Sequence, residues 1–330
     1  MLNLGTTSRG LTSSLPQHLA AVEAVFTRQL QSDLPAVVDL TDHVSKYRGK
    51  MLRPTLAILA GLAASGGDES ALDSEDLLRL AAVIEMIHMA TLVHDDVLDE
   101  AEERRDAQTI NRLRGNEAAV MLGDYLISSA FHLCSTIKDP ELNEALGRVT
   151  NTLCEGELLQ LHLRDDLGID CETYLEIIRR KTAALVGASG QLGARVMGGE
   201  ESLCDALGEY GMHLGIAFQI TDDVLDLEGE TRQIGKTAGR DLEKGKFTLP
   251  VILLLEEAPA ETFKECIEVI QAKDAAAVLA LVRNSGAMER ALAIAADQVE
   301  AAKKAMRRSI SGPMDDLFSE LADSVLSRTR

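Results

Sequence analysis

One acidic pentapeptide, present twice, limits what this chain can become more than any other feature. Asp-Asp-Val-Leu-Asp stands at Asp95–Asp99 and again at Asp222–Asp226. Each copy closes an apolar run, residues 86–93 before the first and 215–220 before the second. On a helix the first, second and fifth positions fall at about 0°, 100° and 40°, so the three carboxylates project from one side. They repel one another there, and at a helix C-terminus they also face the negative end of the macrodipole. A solvated helix end accounts for one such cluster, and poorly for two identical ones. Cations remove the conflict. Two clusters point to a shared cleft that holds hard divalent metal ions and, through them, a polyphosphate.

The rest of the chain reads as helix. Aromatic residues are only 3% of 330 positions, Trp is absent and Pro numbers 7, a composition that favours helices over strands. Helical periodicity is expected over 16–31, 35–47, from Pro54 onward, and from a cap at Asp73, with Asp76 in the capping-box position, through to Asp99. Further helices are expected over 116–138, 140–164, 172–197, 201–228, 248–257, 260–271, 273–283, 287–308 and 313–328. No strand, Pro/Gly linker or 20–50-residue repeat stands out. The expected architecture is all-α: residues 1–330 as a single large helical bundle, the two Asp-rich helices facing each other across a central cavity.

The formal net charge is -20, which repels nucleic acid and anionic membrane surfaces. The apolar stretches Leu56–Ala64 and Leu249–Leu255 are too short to span a bilayer, so no stable membrane insertion is expected. Five scattered cysteines without a Cys-x-x-Cys pair read as reduced thiols of a cytoplasmic protein. One segment breaks the helical pattern. Residues 229–246 interleave Gly229, Gly235, Gly239 and Gly245 with Arg232, Lys236, Arg240, Lys244 and Lys246. That mixture suits either a solvated connection or a phosphate-binding flap, and its place just after Asp226 favours the flap.

These residues together resemble the trans-isoprenyl diphosphate synthases of the polyprenyl synthetase family, over roughly residues 45–250. The resemblance rests on the two all-Asp DDxxD motifs and on several basic elements. Gly49-Lys50-Met51-Leu52-Arg53-Pro54 is similar to the family's GKxxRP, and Phe218-Gln219-Ile220-Thr221-Asp222-Asp223 to its FQxxDD. Lys181-Thr182 matches its Lys-Thr pair, and Lys236 and Lys246 its two downstream lysines. Arg104-Arg105-Asp106-Ala107-Gln108-Thr109 departs from the usual RRGxPT at Asp106 and Gln108 but keeps both guanidinium groups.

The resemblance implies an isoprenoid synthase fold and a site of about three magnesium ions. Asp95, Asp99 and Asp222 would be the main ligands, with Asp96, Asp223 and Asp226 binding through water or in support. Lys50, Arg53, His88 and Arg105 would hold isopentenyl diphosphate. Arg104 and Lys181 would hold an allylic diphosphate and Thr182 would help orient the cation, with Lys236 a catalytic residue and Gln219 and Lys246 substrate-binding ones by their match to the family's positions. On residue type alone, Lys50 and Arg53 would be ordinary surface charge and His88 an ordinary core histidine. The implied reaction is ionisation of the allylic diphosphate, attack by the isopentenyl double bond and loss of a proton, within a homodimer.

Product length follows from what lies behind the first Asp cluster. One turn back are Thr91 and Ala90, two turns back Ile87 and Met86, at about 5.4 Å per turn, close to one isoprene unit. Short-chain relatives commonly place Phe, Tyr or Met where Ala90 stands. Ala90 removes that floor, so the expected product is hexaprenyl or longer; a floor at Leu122, Tyr125 or Leu126 would instead make a short-chain (farnesyl or geranylgeranyl) diphosphate synthase. A non-catalytic partner subunit and a terpene cyclase are the competing readings. The first usually loses an Asp cluster, and the second usually carries a mixed Asn/Ser/Glu motif and more aromatics than 4 Tyr and 6 Phe.

Overall fold

The computed structural model describes residues 14–47, 49, 51–105, 107–228 and 239–327. They form α1 (Leu15–Gln29), α2 (Pro35–Val44), α3 (Leu52–Ala64), α4 (Glu75–Leu98), α5 (Ile110–Arg114), α6 (Asn116–Cys134), α7 (Glu141–His162) and α8 (Cys171–Ile178). After these come α9 (Ala184–Val196), α10 (Glu201–Glu228), α11 (Arg240–Glu243), α12 (Leu249–Glu257), α13 (Ala260–Gln271), α14 (Ala275–Ser285), α15 (Ala287–Met306) and α16 (Pro313–Leu326). The all-α expectation holds.

Three local features differ from the sequence reading. The cap of α4 is Ser74, whose Oγ accepts from Leu77 N at 3.4 Å. Asp73 instead ends a 3-10 turn, Glu69–Asp73, and lies 3.3 Å from His18 Nε2. Ser74 leaves Glu75 and Asp76 for the first turn, where the macrodipole favours acids. The stretch 172–197 is interrupted by a π turn, Arg179–Ala183, between α8 and α9. A hairpin also appears: β1 (Glu103–Arg104) runs antiparallel to β2 (Ala107–Gln108), with Arg104 opposite Ala107. Strands of two residues are too short for alternation to register in a sequence.

The chain divides into two compact units. One comprises Met1–Thr150, Leu185–Gly211 and Met306–Leu317, the other Asn151–Ala184, Met212–Ala305 and Phe318–Arg330. In the first unit α4 is the core, with Leu80, Val83, Ile84, Met86, Ile87, Met89 and Ala90 buried beneath α1, α3 and α6. Among the described residues α4 is the one helix with the length and hydropathy of a membrane span, and 67% of its most apolar window is buried in protein. An all-round apolar helix covered this way is a core helix. Close approach of α9 to α3 depends on Gly193, where a Cβ would lie 2.8 Å from Ala57 Cα. In the second unit Tyr174 and Ile178 of α8 share a core with Ile220, Val224 and Leu227 of α10, Ile252 of α12 and Ala291 of α15.

Candidate active site

The first Asp cluster belongs to the first unit, at the end of α4. Asp96 is buried, whereas Asp95 and Asp99 are partly exposed. The hairpin explains the difference, because it folds Arg104 back onto the helix end it has just left. Arg104 Nε and Nη2 both reach Asp96 Oδ1, each at 2.8 Å. Asn111 Nδ2 ties the turn by donating to Asp96 O at 3.2 Å and to Ala101 O at 3.1 Å. Burial works against the Arg104 charge, but Asp96 and then Asp95 hold its pKa above the usual value. Asp96 is thus committed to the chain's own arginine, leaving Asp95 and Asp99 as the accessible pair.

The same unit gathers the expected isopentenyl diphosphate residues. Arg105 sits at φ 50° and donates to Tyr47 O. Its guanidinium lies over Gly49, where any Cβ would collide with it. A larger residue there would push the Arg105 guanidinium aside. Tyr47 accepts from Ile110 N at 2.9 Å, and burial, then Asp96, push its hydroxyl up to about 12. Burial, then Arg53, Arg105 and Arg104, drive the His88 imidazole well below its usual pKa. His88 is therefore neutral, within the field of three guanidinium groups. Lys50 and Asp106 lie outside the described residues. Of the chain-length positions, Ala90, Met86 and Ile87 are buried, and Thr91 Oγ1 is turned to His88 O at 2.8 Å.

The second Asp cluster repeats this division of labour in the second unit. Asp223 is buried, and Asp222 and Asp226 are partly exposed. Tyr174 Oη donates to Asp223 Oδ2 at 2.6 Å, and Gln219 Nε2 donates to Oδ1 at 2.8 Å. Thr182 Oγ1 donates to Gln219 Oε1 at 2.8 Å, which joins three of the sequence-selected residues in one chain. Lys181, on the π turn, bonds to Gln160 Oε1 at 3.0 Å and pairs with Glu157. Only a glycine at 156 lets α7 lie so close to that turn, since a Cβ would meet Lys181 N at 2.5 Å. Lys246 is buried, its N donating to Asp241 O at 2.8 Å. Lys236 and the flap stretch 229–238 lie outside the described residues.

Sequence reasoning missed Tyr174, Glu157, Gln160 and Asp241. Asp241 N donates to Asp226 Oδ2 at 3.2 Å, while its carboxylate adds charge to the cluster. Burial, then Asp241, raise Asp223 well above the usual carboxylate range, although Tyr174 and Gln219 oppose the shift. Burial and Asp241 also bring Asp226 to about 6, against the Asp241 N–H and Arg240. Carboxylates crowded until they resist ionising gain from a nearby cation, although among the described residues no group of three or more His, Cys, Asp or Glu is arranged to hold one.

The sign of the resulting pH dependence is fixed. An acid whose pKa rises from 3.8 to about 6 on folding stabilises the fold fully below its unfolded value. That contribution is lost as pH climbs through about 6. Above that pH a bound cation offsets the repulsion. The melting-temperature gain from magnesium is therefore expected to be small at about pH 5 and to reach about 3–5 °C at about pH 7.5. Equal gains at both pH values in a thermal melt would argue against Asp226 as a cation ligand.

Comparisons with known proteins bear on this arrangement. The sequence profile described as "Polyprenyl synthetase" matches residues 35–284. A "Prenyl transferase" of Synechocystis sp. is 36% identical, covering 98% of this chain and 99% of its own. "Heptaprenyl diphosphate synthase component 2" of Geobacillus stearothermophilus is 34% identical, over 96% of this chain and 97% of that one. Among solved structures, a polyprenyl synthase of Caulobacter crescentus, complexed with calcium and isoprenyl diphosphate, superposes with a TM-score of 0.89. It is 34% identical, with 99% of both chains covered. With a profile over most of its length and relatives matched nearly end to end, the chain belongs to the polyprenyl synthetase family and is a trans-prenyltransferase.

Proposed function

We propose that this enzyme adds isopentenyl diphosphate units head to tail to an allylic diphosphate, ending at an all-trans polyprenyl diphosphate of hexaprenyl length or longer. The reading takes residues 1–330 as one functional domain in which both Asp clusters serve the reaction. Its main support is the matched design of the clusters: in each, the second Asp is buried against the chain's own donors and the first and fifth remain partly exposed. Asp95, Asp99, Asp222 and Asp226 would hold the divalent ions, magnesium and about three of them, with Asp96 and Asp223 in support. When bound, such ions stabilise the charge that grows on a departing diphosphate.

The chain's own residues then divide the substrates. Arg104, Lys181, Lys236 and Lys246 bind the allylic diphosphate, while Lys50, Arg53, His88 and Arg105 bind isopentenyl diphosphate. Thr182 and Gln219 orient the allylic group. Neutral His88 keeps one N–H and donates from that ring nitrogen without taking up a second proton. No side chain acts as nucleophile, so rate enhancement comes from positioning and electrostatics. The growing tail runs along α4 past Ala90, Thr91, Ile87 and Met86, beside α6. Homodimer formation would use the outer face of α6, where Val120 and Met121 are 41% and 64% exposed. All five cysteines are free thiols, in keeping with a cytoplasmic enzyme.

A second reading has one observation behind it. The Geobacillus relative is named as a component, which raises a heteromeric synthase needing another subunit. One assay separates the two. The purified chain, with magnesium, farnesyl diphosphate and labelled isopentenyl diphosphate, is expected to yield a ladder ending at a long prenyl diphosphate. No incorporation from this or a shorter allylic starter would favour the component reading.

A further inference from the structure

Asp223 has both carboxylate oxygens occupied by donors from the chain itself. Tyr174 Oη reaches Oδ2 at 2.6 Å and Gln219 Nε2 reaches Oδ1 at 2.8 Å. Tyr174 is 3% exposed and Asp223 4%, so water offers no substitute for either partner. Gln219 is itself fixed by Thr182, the residue after Lys181. Three elements therefore meet at one carboxylate: α8 through Tyr174, the π turn through Thr182, and α10 through Gln219 and Asp223. A buried carboxylate needs such donors, because each one lost leaves an acceptor desolvated and unsatisfied.

We infer that Tyr174 is a positioning residue, whose hydroxyl locks Asp223 so that Asp222 and Asp226 of α10 and Lys181 of the π turn grip one diphosphate together. The inference rests on the functional reading above and adds to it a residue that contacts neither substrate nor ion. The aromatic ring fills the core of the second unit, and the hydroxyl performs the separate task.

The test uses the full chain, with inorganic pyrophosphate and magnesium titrated calorimetrically in the absence of prenyl substrates, alongside steady-state kinetics. Tyr174→Phe retains the ring. It is expected to weaken magnesium-dependent pyrophosphate binding about tenfold and to lower kcat by a similar factor. KM for isopentenyl diphosphate is expected to stay unchanged, because that ligand is assigned to Arg53, His88 and Arg105. In an Asp223→Asn background the same substitution is expected to cost nothing further, since the hydroxyl acts through the carboxylate. Unaltered pyrophosphate binding in Tyr174→Phe, or additive losses in the double variant, would overturn the assignment. If Tyr174→Phe does not fold, Gln219→Met removes the other donor and is expected to give the same loss and the same non-additivity. A wild-type chain that binds no pyrophosphate with magnesium would instead bring down the functional reading, and this assignment with it.

Discussion

Asp95→Ala is expected to lower kcat/KM for prenyl transfer by about a thousandfold or more, while the metal-free protein melts no lower than wild type. A factor of that size corresponds to about 4 kcal/mol of lost transition-state stabilisation, the scale on which a positioned electrostatic group acts. Stability should not fall, because Asp95 is partly exposed at the C-terminal end of α4. A carboxylate there opposes the helix macrodipole and its two acidic neighbours, so the repulsion relieved by its removal offsets the attraction to Arg104 that is lost. Asp96, one residue on, differs: it is buried and paired with Arg104, and its loss would strand a buried cation. Incorporation of labelled isopentenyl diphosphate and a thermal melt measure the two quantities. A variant retaining a tenth of wild-type activity would remove Asp95 from the cation site.

What the sequence disclosed, and what it hid, follows from how local each cause is. The doubled pentapeptide was legible because its spacing on a helix is a property of five consecutive residues. The helices were legible because their periodicity repeats over many turns. The inward turn of Asp96 and Asp223 was not, because it depends on partners brought in by folding. Arg104 reaches Asp96 through a hairpin of two-residue strands, and Tyr174 is 49 positions from Asp223 in the chain. A π turn adds one residue to a helical repeat, too small a change to show against the apolar pattern of 172–197. For Glu157 and Gln160 the signal was partial: they stand one turn apart, next to Gly156, but Gly147 on the same helix has open space around it. The two compact units left no mark either, since helices α7, α10, α15 and α16 run from one to the other without a change of composition.

Ala90→Phe is expected to shorten the product from hexaprenyl or longer to about geranylgeranyl, with turnover of the allylic starter retained. Ala90 is fully buried on α4, one turn before the first Asp cluster, and α6 packs along the same helix. A phenyl ring at this position projects into the path proposed for the tail. A helical turn rises about 5.4 Å, close to one isoprene unit, so a floor one turn from the cluster acts early in elongation. The added volume also strains a packed interior, at a cost of about 1–3 kcal/mol, and a melt must accompany the product analysis to separate shortening from misfolding. Chromatography of the prenyl chain gives the answer directly. If the folded variant makes the same long product, the tail does not pass Ala90. Leu122 and Leu126, both buried on α6, then become the positions at which to look for the floor.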